Sequence, residues 1–234
     1  GGEPLLRKGV LSLVESLREL PGLSELVMTT NGHLLPKFAA DLRAAGLDRL
    51  NVSLDTVNVR KFASLTGGGC ANTVMEGIEK AVSAGFENTR VNAVLLPEVT
   101  PRERFALLDY CWSIGVVPTF IEMMPIGQLT YQRDQRQLTT SMLIDEVRSR
   151  YELSAIVRDA EGLAGPARWY KVVSGQNEGK LLGTISPMTD NHFCETCNRA
   201  RLTSTGGFRG CLGNDEEVQL LHDIRAKEKE TCLQ

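Results

Sequence analysis

The chain has 234 residues, 42% hydrophobic and 24% charged, which is enough for one sizeable core. A formal net charge of -3 excludes a generally basic nucleic-acid binder, so any cationic function has to be local. No apolar run approaches the roughly 18 residues of a membrane span and no signal-peptide pattern is visible, so a cytoplasmic location without membrane contact is the default expectation. In a reducing compartment, six cysteines in a chain of this length suit metal binding or redox chemistry better than a disulfide framework. The sequence opens on Gly1-Gly2-Glu3-Pro4, a turn with no strand before it, and is expected to be a piece of a longer protein.

Val10, Leu13, Val14, Leu17 and Leu20 recur at helical spacing, and Pro21-Gly22 closes that helix. ELVMTTNG (25–32) reads as a short buried strand ending in a turn, 35–45 as a helix stopped by Gly46, and RLNVSLD (49–55) as a second strand. Asn72 is expected to cap a helix that buries Val74, Ile78, Ala81 and Val82 and ends at Gly85. TRVNAVLL (89–96) makes a third strand. Thr100-Pro101-Arg102-Glu103 is a capping box with proline at the first helical position, opening a helix that runs to Gly115, and PTFIEMM (118–124) makes a fourth strand.

Strands alternating with helices imply parallel pairing through right-handed crossovers, which a barrel and a doubly wound sheet both satisfy. The polar residues favour the barrel. Thr29, Thr30, Asn31, Ser53, Asp55 and Glu122 all fall at the carboxyl ends of their strands, where a βα barrel opens its active-site mouth. No Gly-x-Gly-x-x-Gly follows any strand, which counts against a dinucleotide fold. Gly67-Gly68-Gly69 and the stretch Gly175 to Lys180 read as turns without a ligand role. Beyond Gly127 the pattern changes: 128–138 is a polar linker, 139–150 a helix, and short strand-like pieces lie around Ile156, Trp169 to Val173 and Leu181 to Ile185. The expected division is therefore 1–127 and 128–234.

Cys194-x2-Cys197 is followed after thirteen residues by Cys211. The pair sets two thiolates on one tight turn, and the third returns after a hairpin-length excursion over 201–209. Zinc or an iron–sulfur cluster fits such a set. Zinc needs a fourth ligand, for which His192 and Cys232 are the candidates. A cubane cluster on three thiolates leaves one iron open for substrate or cofactor. Arg199 and Arg201, next to the second cysteine and one residue apart, favour a phosphate or another polyanion. Cys70, Cys111 and Cys232 read as structural.

GGEPLLR, TTNG, NVSLD, FIEMMP and ISPMTDNHFCETCNRARLTSTGGFRGCLG, in this order and spacing, resemble the GTP 3′,8-cyclases of molybdenum cofactor biosynthesis, a family of the radical S-adenosylmethionine superfamily. The resemblance implies an α/β fold: a partial (βα)6 TIM-type barrel, its first strands lying before Gly1, with a C-terminal α+β extension carrying the cysteine cluster. It implies conversion of GTP to (8S)-3′,8-cyclo-7,8-dihydroguanosine 5′-triphosphate, the first step of molybdopterin synthesis. It implies S-adenosylmethionine, held by Gly2, Ser53 and Met124, and a 4Fe-4S cluster on Cys194, Cys197 and Cys211 whose open iron meets the guanine. Thr29, Arg90 and the segment Arg199-Ala200-Arg201 match its GTP site. A second 4Fe-4S cluster, which in the family generates the 5′-deoxyadenosyl radical, binds a C-x3-C-x2-C loop that these residues do not contain, so this polypeptide alone is expected to be inactive. The partners implied are a reductant protein, the downstream cyclic pyranopterin monophosphate synthase and, as an option, a second copy in a homodimer.

Two positions depart from the family pattern, Arg90 where lysine is common and Thr119 where arginine is usual. Two other classes also accommodate the cysteines: a peptide-maturing radical enzyme with an auxiliary cluster, and a non-catalytic zinc-ribbon protein.

Overall fold

The computed structural model describes residues 2–124, 137–156, 166–194, 199–211 and 216–226. The first half alternates as predicted: α1 (Val10–Arg18), β1 (Val27–Thr30), α2 (Leu35–Ala44), β2 (Arg49–Ser53), α3 (Val59–Leu65), α4 (Ala71–Ser83), β3 (Arg90–Val94), α5 (Pro101–Ser113) and β4 (Val117–Ile121). The capping box of α5 is formed in full, with Thr100 Oγ1 accepting from the Glu103 N–H and Glu103 Oε2 accepting from the Thr100 N–H. Asn72 does not cap α4. The helix begins at Ala71, with Cys70 in the capping position and no side-chain capping bond, so Asn72 lies inside the first turn. The short helix α3 was not foreseen; Asn58 caps it by accepting from the N–H groups of Arg60 and Lys61.

β1 to β4 pair in parallel and in sequential order. After α6 (Thr140–Arg148) the chain adds β5 (Leu153–Ile156), β6 (Arg168–Val172) and β7 (Leu181–Ile185) to the same sheet, giving the order β1-β2-β3-β4-β7-β6-β5. β7 runs parallel to β4, while β6 and β5 return antiparallel. The 175–180 segment is the turn between β6 and β7, closed by the Gly179 N–H on the Val172 carbonyl. Three short strands, β8 (Arg201–Leu202), β9 (Gly207–Arg209) and β10 (Val218–Gln219), form a separate small sheet beside α7 (Leu221–Ala226). The predicted hairpin over 201–209 is thus present. The expected linker falls mostly outside the described residues.

Successive residues of a strand face opposite ways, so each strand sorts its side chains between two environments. Met28, Leu50, Val52, Val91, Ala93, Phe120, Leu182 and Val172 point into one core, shared with the buried residues of α1 to α6. All six helices therefore cover the same face. That is the outcome expected when right-handed crossovers follow strands laid down in one direction. A doubly wound sheet reverses strand order and carries helices on both faces. No described helix is long and apolar enough to cross a membrane.

Candidate active site

The face of the sheet turned away from the helices is polar. Register places Thr29 beside Asn51, Asn51 beside Arg90, and Arg90 beside Val117 in one row. The next row toward the carboxyl edge runs Ser53, Asn92, Thr119, Gly183 and Trp169. Thr29 and Ser53 are exposed, while Asn51, Arg90 and Asn92 are half-buried. Arg49 shares this face, but its guanidinium is engaged by both carboxylate oxygens of Glu25, at 2.7 and 2.9 Å. Arg90 lies with its guanidinium carbon 4.7 Å from the centroid of the Trp169 ring. Burial and the like charge of Arg49 bring Arg90 down to about 10, which leaves it cationic at neutral pH.

Three carboxylates pin the loops at the carboxyl edge of the sheet. Glu3, next to Gly2, accepts from the Thr30 hydroxyl at 2.6 Å and the Asn31 N–H at 2.7 Å, so the opening GGEP turn is tied to the TTNG strand end. Gly32, with φ 78°, completes that turn; a Cβ there would come within 2.8 Å of Val52 and Val74. Asp55 accepts from the Val94 N–H at 2.8 Å and joins the ends of β2 and β3, and burial raises its carboxyl above the usual range. Glu122, 3% exposed, accepts five hydrogen bonds: from the Thr140 N–H and hydroxyl, the Met188 and Thr189 N–H groups, and the Thr189 hydroxyl. It fixes the loop that follows β7 against the end of β4.

That loop leads to the cysteines. Asp190 pairs with Arg168 at 2.8 Å and accepts from the His192 N–H, and the Phe193 N–H bonds the Asp190 carbonyl. The Arg199 guanidinium lies 5.2 Å from the Phe193 ring. Cys194 and Cys211 are exposed and in no disulfide; Cys197, like Cys232, lies outside the described residues. Arg201 opens β8 opposite Arg209, whose guanidinium is paired with Glu217 at 2.6 Å. Cys111 is fully buried, and burial pushes its thiol up, as suits a structural residue. Cys70 is exposed, and hydrogen bonding to Thr73 holds its thiol below the usual range.

Thr29, Ser53 and Arg90 thus share one face, and Gly2 is held at the end of β1 through Glu3. Met124 follows Glu122 beyond β4, and the segment 199–201 runs from the loop that Glu122 anchors into β8. Sequence reasoning missed Glu3, Asn51, Asn92 and Trp169. The period-two alternation in NVS and RVN was the available signal for the two asparagines. Cavities of about 460 and 330 Å³ lie around Arg168, Tyr170, Asp190 and His192, the smaller of them also lined by Trp169.

Comparison with known proteins places both halves. The Radical SAM superfamily matches residues 1–111, and the family Molybdenum Cofactor Synthesis C matches residues 100–234. A GTP 3′,8-cyclase of Saccharophagus degradans is 38% identical over 97% of the chain and 66% of its own length. That of Nitrobacter hamburgensis is 41% identical over 100% and 66%, and that of Thermodesulfovibrio yellowstonii 40% over 97% and 68%. The chain therefore spans about two thirds of the length of these curated relatives. Among solved structures, Streptococcus suis SuiB bound to the precursor peptide SuiA superposes with a TM-score of 0.53 at 19% identity, covering 64% of this chain and 33% of SuiB. SuiB alone gives 0.52 at 18%, with 64% and 34% covered. These two likenesses concern the fold alone.

Proposed function

The chain belongs to the GTP 3′,8-cyclase family of the radical S-adenosylmethionine superfamily, and on that premise we propose that the full-length protein converts GTP to (8S)-3′,8-cyclo-7,8-dihydroguanosine 5′-triphosphate in molybdenum cofactor synthesis, while these residues alone do not turn over. The observation that carries this reading is the two polar rows on the helix-free face, ending at an edge whose loops are pinned by Glu3, Asp55 and Glu122. A nucleotide needs a concave polar surface with cations at one end, and βα folds supply such a surface beside strand carboxyl ends. On this reading the sheet forms part of a six-stranded barrel. Residues 1–127 are its partial barrel and 128–234 the C-terminal domain, although β7 joins β4 across that division.

Gly2, Ser53 and Met124 hold S-adenosylmethionine. Thr29, Arg90, Arg199, Ala200 and Arg201 hold GTP, with the guanidiniums as fork-shaped donors to the triphosphate. The thiols fit an iron–sulfur group: Cys194 and Cys211 are exposed at either end of the segment that forms the 201–209 hairpin, and on this reading Cys197 completes the set. Bound there, a 4Fe-4S cluster supplies an iron with an open position for a purine base. A second cluster, a reductant protein, the downstream synthase, a homodimer and a cytoplasmic setting belong to the same reading. A peptide-maturing function draws no support from SuiB, whose likeness is one of fold.

The test is GTP binding to the chain reconstituted anaerobically with iron and sulfide. We expect a brown protein whose cluster spectrum shifts on adding GTP, and Arg201→Ala weakening GTP by about tenfold, the loss of one charge-assisted contact. A colourless zinc protein indifferent to GTP would overturn the assignment in favour of a zinc ribbon.

A further inference from the structure

Asn51 stands between Thr29 and Arg90 in its row of the polar face, opposite the core residues Leu50 and Val52. Its side-chain oxygen accepts from Arg49 Nη1 at 3.0 Å, two residues back on the same face of β2. Arg49 is 8% exposed and is gripped in turn by Glu25, its Nε and Nη2 donating to the two carboxylate oxygens at 2.7 and 2.9 Å. That bonding holds the Glu25 carboxyl below its usual range, so the grip stays charged at neutral pH, and the field of Glu25 also reaches Arg90. A guanidinium carries donors and no acceptor, so only the oxygen of the Asn51 amide can face it. The amide is thus set in one sense, with its NH2 group turned away from Arg49. That group donates to no described residue, although the side chain is half-buried.

We propose that Asn51 is a substrate-binding residue that donates a hydrogen bond to an oxygen acceptor of the nucleotide, and that Arg49 and Glu25 are positioning residues that hold its amide in the donating sense. This inference rests on the nucleotide reading above, which assigns Thr29 and Arg90, the neighbours of Asn51 in the row, to GTP. An amide without a holder turns over between two senses, and a ligand that needs a donor finds only the competent fraction. The Arg49 fork removes that choice before the ligand arrives. Glu25 offsets the charge of Arg49, so what this network adds to the row is a directed donor.

GTP titrations of the full, anaerobically reconstituted chain and its variants test both roles. Asn51→Ala should weaken GTP about fivefold, the worth of one hydrogen bond. Asn51→Asp keeps the shape and the bond to Arg49 but has no N–H, so it should weaken GTP more than alanine does. Affinity within about twofold of wild type in Asn51→Ala, or wild-type affinity in Asn51→Asp, would overturn the binding role. Arg49→Lys keeps the positive charge but loses the fork that bridges Glu25 and Asn51. We expect it to weaken GTP about threefold on its own and to add nothing to Asn51→Ala, because it acts only through that amide. Equal weakening in both backgrounds would overturn the positioning role. Should Arg49→Lys fail to fold, Glu25→Gln decides, since that side chain is 41% exposed. Removing its negative charge would by itself tighten an anion, so weakening that disappears in the Asn51→Ala background supports the amide route, and tightening overturns it. A wild-type chain that does not bind GTP removes the nucleotide reading itself, a result distinct from GTP binding that is indifferent to Asn51→Ala.

Discussion

Residues that organise the mouth of this sheet do so mostly as acceptors for backbone N–H groups, and that role leaves little trace in a sequence. Glu3 illustrates it. A glutamate before proline in an opening turn looks like a surface charge, yet it ties two segments 28 residues apart through the Asn31 N–H. Asp55 stands in a different balance, because burial raises its carboxyl while the Val94 N–H pulls it down, and burial wins. A carboxyl raised in the folded state favours folding fully below its unfolded pKa, near 4, and that contribution is lost as the pH climbs through the folded value. Asp55→Asn keeps an oxygen for the Val94 N–H and removes the charge. It should therefore be more stable than wild type at pH 7, with the difference closing as the pH falls toward 4. Urea unfolding at several pH values measures this, and a constant difference across the range would show that Asp55 is not desolvated as described.

At the scale of elements, α5 and α6 are joined by a buried ion pair, Arg104 to Glu146 at 2.6 Å. Arg104 also donates to the Val99 carbonyl, but its Nε and Glu146 Oε1 lack partners. Such a pair gains little over an apolar contact, and breaking it strands a charge. Glu146→Ala should cost about 3 kcal/mol, and Arg104→Met/Glu146→Leu should recover most of that loss. A double-mutant cycle by chemical denaturation reads both, and a single-variant loss under about 1 kcal/mol would mean that Arg104 finds water. The elements best legible in the sequence were those with a strong period or a complete cap: β1 to β4, and α5 with its capping box. α3 escaped because seven residues with one buried anchor, Phe62, carry no period. The Asn72 expectation failed because asparagine is a common cap, yet backbone geometry starts α4 one residue earlier. That β7 would pair with β4 was beyond local reasoning, since the two strands are separated by 59 residues, from Ile121 to Leu181, with α6, β5 and β6 among the described residues between them.

Over the whole molecule, the site depends on a junction between distant parts of the chain. Thr119 to Ile121 pair with Gly183 to Ile185, the Trp112 indole N–H donates to the Leu181 carbonyl, and Lys180 donates to the Trp112 carbonyl. Glu122 closes the junction at its carboxyl end by gathering donors from α6 and from the loop before the cysteines. Among the described residues, Glu122 and the Arg168–Asp190 pair both tie the 187–194 loop to the sheet. Glu122→Gln turns one acceptor oxygen into a donor; the hydroxyls can turn to accept from it but the backbone N–H groups cannot, so at least one bond to a backbone N–H is lost. We expect a loss of about 2–4 kcal/mol, concentrated locally: the 187–194 loop should be cleaved faster under native conditions, while amides in β1 to β3 keep their protection from hydrogen exchange. Uniform loss of protection over the whole sheet would instead mean that Glu122 holds the global fold. No change in cleavage would mean that the loop is anchored by Arg168 and Asp190 without it. The first outcome ties cluster placement to the same carboxylate, so the variant should also take up iron and sulfide less completely than wild type, measured as iron per chain after reconstitution.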